Sequence, residues 1–243
     1  MNARLATLLG ALALAAACGE KTVGPSNITP SQPFGRLRVV NAVANATIAD
    51  RVNVSVDGVP FGVNLAYGGV APTPPTLYYP AYQGNRQVAV RRTADTTVKV
   101  LDQAVAITAD ADQTLFVVRS GTSGTATGTL LVTDDNTAPA AGSVKLRLVD
   151  LANTAGNVDV YVTAPNASIA TVAPTLANVA PGAVSQYLTL AAGSYRVRLT
   201  TAGTKTVVLD VSTGALAAGA IRTFVALDPV TGTALTSAVL TDR

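Results

Sequence analysis

The sequence predicts an all-β protein made of two tandem immunoglobulin-like antiparallel β-sandwich domains behind an export signal. Three observations point there. Short runs such as Arg36–Val40, Arg86–Val90, Thr97–Leu101, Lys145–Val149 and Tyr195–Leu199 alternate apolar with polar residues, the period of a strand with one face buried. Turn pairs punctuate them, among them Asp57-Gly58, Gly68-Gly69, Pro74-Pro75, Ala202-Gly203 and Asp228-Pro229, at the short spacing of a sandwich. The pattern also occurs twice: Leu37–Asn41 aligns with Leu146–Asp150 and Gly84 with Gly193, both at an offset of 109 residues. That period is too long for a solenoid repeat and suits a self-contained domain.

In chain order, residues 1–17 are expected to be a signal peptide. The apolar run Leu5–Ala17 has 13 residues, against about 20 for a membrane-spanning helix. Leu14-Ala15-Ala16-Ala17-Cys18 resembles the bacterial lipobox, which implies acylation of Cys18, the only cysteine. The same alanines also satisfy the small-x-small rule of ordinary secretory cleavage, which would leave a free thiol at the new terminus. Gly19 follows the cysteine, and by this resemblance the destination is the outer membrane of a diderm bacterium, facing periplasm or cell surface. Residues 18–34, with a Ser, Pro, Thr, Gly and Asn bias, are expected to form a flexible tether.

Repeat 1 is expected over 35–135, a linker over 136–142 and repeat 2 over 143–243, with seven or eight strands each. A lone cysteine forbids the inter-sheet disulfide of antibody domains, and no tryptophan is present for their core. Neither aromatic girdles nor ten-residue lipid-facing strands suggest a membrane barrel.

Leu37-Arg-Val-Val-Asn-Ala42, Val52-Asn-Val-Ser-Val-Asp-Gly58 and Asn64-Leu-Ala-Tyr-Gly68 resemble the opening of bacterial modules of the domain of unknown function 4397 family (DUF4397). Asp159-Val-Tyr-Val162, Gln186–Val197 and Ala217–Phe224 are similar to the same family in the second copy. The resemblance covers about 200 residues as two copies. It implies a fold rather than an activity, because its motifs are made of strand and turn residues. The family's early histidine is replaced here by Asn41 and Asp150.

With no histidine, a Ser-His-Asp triad, a Cys-His pair and imidazole zinc sites are excluded. Among the acids only Glu20 is a glutamate. Asp110 and Asp112 have metal-like spacing without the rest of a calcium loop, and a polar turn explains them equally. Arg36 with Arg38, Lys145 with Arg147, and Arg196 with Arg198 each share one strand face; these are either solvated faces or stripes for lipopolysaccharide phosphates or acidic glycans. Tyr67, Tyr78, Tyr79 and Tyr82 crowd a proline-rich stretch where the copies diverge. They form a candidate binding loop, with core packing as the alternative. No cofactor is expected. The partners expected are a membrane through the lipid anchor and a glycan or envelope protein, and no nucleic acid, since the net charge is only +3. The function read from the sequence is a non-catalytic, lipid-anchored envelope protein acting as an interaction, adhesion or structural module. The alternative is an accessory or weak carboxylate-dependent hydrolase acting on polysaccharide.

Overall fold

The computed structural model describes residues 32–43, 51–120, 126–230 and 232–243. Cys18, the export signal at 1–17 and the tether as far as residue 31 lie outside them. Residues Pro33–Arg243 form one compact unit.

The first half contains β1 (Phe34–Ala42), β2 (Val52–Val56), β3 (Val59–Leu65), β4 (Val70–Ala71), β5 (Tyr79–Tyr82), β6 (Gly84–Arg92), β7 (Lys99–Ile107), β8 (Asp112–Ser120) and β9 (Ala126–Asp134). One sheet has the order β4-β1-β8-β9, with β5 also paired to β1, and the other runs β3-β2-β6-β7. The second half repeats the plan with β10 (Ser143–Leu151), β11 (Val158–Thr163), β12 (Leu176–Val179), β13 (Leu188–Ala191), β14 (Gly193–Thr201), β15 (Val207–Leu216), β16 (Ile221–Leu227) and β17 (Thr236–Thr241). Its sheets are β13-β10-β16-β17 and β12-β11-β14-β15. Among the described residues no sheet mixes strands of the two halves. Among the described residues no helix is long and apolar enough to cross a membrane.

The all-β sandwich pair is as expected, with two refinements: the first half has nine strands among the described residues rather than seven or eight, and each half contains a parallel pair. In each half the first strand runs parallel to the next-to-last, β1 beside β8 and β10 beside β16; every other strand pair is antiparallel. A parallel neighbour needs a crossover, and here the whole opposite sheet supplies it.

Leu37, Val39, Val54, Val88, Val90 and Leu115 fill the first sandwich, and Leu146, Leu148, Val158, Val160, Val197, Leu199 and Phe224 fill the second. A third apolar cluster belongs to neither. Val40 and Phe116 of the first half meet Val149, Val225, Leu227 and Leu240 of the second. Alternation explains it: Leu37 and Val39 point into their own sandwich, while Arg38 and Val40 point out of it, onto the sheet of the other half. The β1 sheet is therefore covered on both faces, which is why β1 is buried without interruption from Leu37 to Ala42.

At the rim of this junction the charges are exchanged between halves. Arg38 Nη2 lies 2.6 Å from Asp242 Oδ1 and Arg147 Nη2 pairs with Asp134 Oδ1, so each half supplies the arginine for the other's terminal-strand aspartate. Thr114 Oγ1 accepts from Arg38 Nε at 3.0 Å and donates to Asp134 at 2.5 Å. Its counterpart Thr223 accepts from Arg147 Nε at 3.2 Å and donates to Asp242 at 2.7 Å. Tyr78 and Tyr187 cover the two guanidinium groups, their ring centroids 4.8 and 4.6 Å away. All four charged side chains are at most 2% exposed. Burial alone would pull the Arg38 pKa down, but Asp242 first, with Asp134, holds it above its ordinary value.

Removing one partner from such a group strands a buried charge. Asp242→Ala is expected to cost about 3–5 kcal/mol, measured as the shift in urea unfolding, whereas Asp210→Ala, which removes an exposed partner of Arg196, barely moves the transition.

Candidate functional site

The structure separates the residues that the sequence grouped. Arg38 and Arg147 do share a face with Arg36 and Lys145, as their spacing requires, but that face is the junction. Neither a solvated face nor an anion-binding stripe includes Arg38 or Arg147, because the opposite sandwich covers them. Arg36 binds Asp112, with Nη2 2.8 Å from Oδ2, and Lys145 binds Asp135 at 2.6 Å. Arg196 and Arg198 lie on another sheet and share Asp210, so the six cations form no continuous stripe. Asp112 is buried between Arg36 and Asn136, whose Nδ2 donates to it at 2.6 Å, while Asp110 is exposed in the preceding turn at φ 56°. Among the described residues no three acidic, histidine or cysteine side chains gather as metal ligands.

The four tyrosines also divide. Tyr67 donates to the Asp228 carbonyl of the other half at 3.0 Å and packs on the junction cluster. Tyr78 donates to Asp134 at 2.9 Å. Burial raises the phenol pKa of both. Tyr67 thus bridges the halves, and Tyr78 closes over the charge cluster from its own half. Tyr79 and Tyr82 instead remain 42% and 56% exposed.

Tyr82 lines an open cleft of about 500 Å³ at one end of the first sandwich, a volume ordinary for a ligand site. The β2–β3 hairpin forms one wall. Its two-residue turn, Asp57-Gly58, has φ of 50° and 79°, the left-handed pair that an Asp-Gly turn is suited to. β5 and the start of β1 form the other wall, where Phe34 and Tyr82 are cross-strand partners. Phe34, Val59, Phe61, Ala81 and Tyr82 give an apolar lining, and Tyr79 meets Phe61 edge-on at 5.3 Å. The charged members are Asp57 and Arg86, which face each other with Nη1 3.3 Å from Oδ2. Asp57 also accepts from the Gln87 amide at 2.9 Å, and Arg86 donates to the Gln83 carbonyl at 2.7 Å. The cleft thus presents exposed rings around one neutralised ion pair. That is suited to binding, and among the described residues the carboxylate of its wall is Asp57.

Copy two does not build this surface. In the equivalent pairing of β10 with β13, Ser143 stands opposite Ala191 and Leu146 opposite Leu188, where copy one has Phe34 opposite Tyr82 and Leu37 opposite Tyr79.

The sequence matches the family described as Domain of unknown function (DUF4397) over residues 35–161 and 164–243. The chain belongs to the DUF4397 family. None of the curated proteins matches it. The DUF4397 segments meet at the end of β11, whereas the sheets divide between β9 and β10.

Phe34 and Phe61 were absent from the sequence-based candidates. Phe34 falls at the last position of the expected tether, and only the strand register places it beside Tyr82. Asp150 was singled out only as the replacement for the DUF4397 histidine. It is fully buried with Oδ2 unpartnered, and burial, with Asp228 adding to it, pushes its carboxyl up to about 7. Asn41 at the equivalent place in copy one uses its amide to donate to the Leu65 carbonyl at 3.2 Å.

Two predictions follow from this geometry. Tyr78→Ala should lower stability by on the order of 3 kcal/mol, while Tyr82→Ala should leave the melting curve nearly unchanged. Asp150 is harder to ionise in the folded chain than in the unfolded one, so its effect is absent below about pH 4, erodes stability as pH rises toward 7, and is constant above. Asp150→Asn should therefore match the parent near pH 4 and exceed it by a few kcal/mol at about pH 8, as read by urea titrations at both pH values.

Proposed function

We propose that the chain is a non-catalytic, lipid-anchored cell-envelope protein whose paired sandwiches act as an interaction module, with the cleft of the first sandwich as its contact surface. The observation that carries this reading is the asymmetry between copies: the same strand pairing holds exposed Phe34 and Tyr82 in one and Ser143 and Ala191 in the other. Stability does not require those rings, since the second sandwich forms without them, and exposed apolar patches mark contact sites. Acylation of Cys18 would hold the module at the outer membrane, with an envelope component as its partner.

Fractionation of cells tests this. The parent chain is expected with the outer membrane, and Cys18→Ala in the soluble fraction. A soluble parent chain would remove the anchor. Hydrolysis of a polysaccharide that is abolished by Asp57→Asn would replace the non-catalytic reading with the hydrolase one.

A further inference from the structure

The exposed rings of the cleft lie where the chain enters the sandwich. Phe34 is at once the first residue of β1, a member of the cleft wall and 54% exposed. Val59, at 65%, and Tyr82 stand beside it. Sixteen residue steps separate Phe34 from Cys18, a reach of at most about 55 Å. A lipid on Cys18 therefore keeps this end of the protein within that distance of the bilayer. The start of the second sandwich, Ser143, is more than a hundred residues further along the chain and carries no ring.

We infer that the cleft end of the first sandwich docks on the phospholipid surface that holds the Cys18 anchor, with Phe34, Val59 and Tyr82 entering the boundary between headgroups and acyl chains. The inference rests on the anchoring proposed above. Aromatic side chains favour that boundary, tyrosine with its hydroxyl toward water. The patch is too small to hold a free protein on a membrane, but an anchor makes the contact intramolecular, at a high effective concentration. A glycan would call for several hydroxyl partners. The charged groups of the wall are Asp57 and Arg86, already engaged with each other and with Gln87 and Gln83.

The chain has no tryptophan, so Phe34→Trp, Tyr82→Trp and Ser143→Trp each install a single emitter. The acylated full chain is reconstituted in phosphatidylethanolamine–phosphatidylglycerol vesicles with brominated acyl chains, and flotation reports the anchor independently of the emission. Docking predicts that emission is quenched and blue-shifted at positions 34 and 82 and unaffected at 143. Protein that floats without quenching at 34 and 82, or with equal quenching at 143, overturns docking and leaves the anchor standing. Emission at 34 and 82 that ignores vesicles but shifts with soluble peptidoglycan fragments assigns the cleft to a glycan and also overturns it. A chain that does not float refutes the anchor, and docking falls with it. Two reporter positions guard against one variant misfolding.

Discussion

The reciprocal exchange of guanidinium and carboxylate between the two sandwiches is the constraint on which the remaining structure depends. Buried charges are costly to desolvate, and such groups persist where geometry and hydrogen bonds satisfy them on every side. Here the threonine hydroxyls of β8 and β16 accept hydrogen bonds from the arginines of the neighbouring parallel strands and donate hydrogen bonds to the aspartates. That arrangement needs β1 beside β8 and β10 beside β16, in the register observed. The parallel pairs and the charge cluster therefore explain each other. Apolar contact between Phe116, Val149, Val225 and Leu240 supplies the non-directional attraction, and the four charges fix how the sheets align.

With both central sheets covered on both faces, the surfaces left for recognition are the outer sheets and the ends. Divergence between the copies at the β5 and β13 edges changes side chains without changing strand pairing. An edge next to a strand already held in a packed sheet can exchange Leu188 for Tyr79, or Ala191 for Tyr82, because the backbone bonds to β1 or β10 do not depend on the side chain. One sandwich thus serves as scaffold, and its sibling as scaffold with a surface chemistry of its own.

Much of the fold was legible in the residues. Alternation identified Arg36–Val40 and Lys145–Val149 as strands, and the 109-residue offset separated the halves. The shared face of Arg36 and Arg38 was also correct. What that face meets was not legible, since a period of two separates the faces of a strand without saying whether water or another sheet lies beyond. A clue was present: Arg38, Tyr78, Thr114 and Asp134 recur as Arg147, Tyr187, Thr223 and Asp242, an entire polar set kept in both copies with apolar neighbours. Parallel pairing leaves no mark in the periodicity, because strand direction does not alter which side chains share a face. The tyrosine stretch was recognised as unusual, but its division into junction and cleft depends on long-range register, which also brings Phe34 and Phe61 to the same place.

Each half carries both elements of the exchange, Arg38 with Asp134 in one and Arg147 with Asp242 in the other. A single module of this design is self-complementary: two identical copies related by a dyad would reproduce the same contacts, as in an isologous homodimer. The chain has the form of such a dimer joined covalently. Fusion removes the concentration dependence of assembly and, unlike a true homodimer, lets the two halves differ in side chains at equivalent places, with Phe34 and Tyr82 on one and Ser143 and Ala191 on the other.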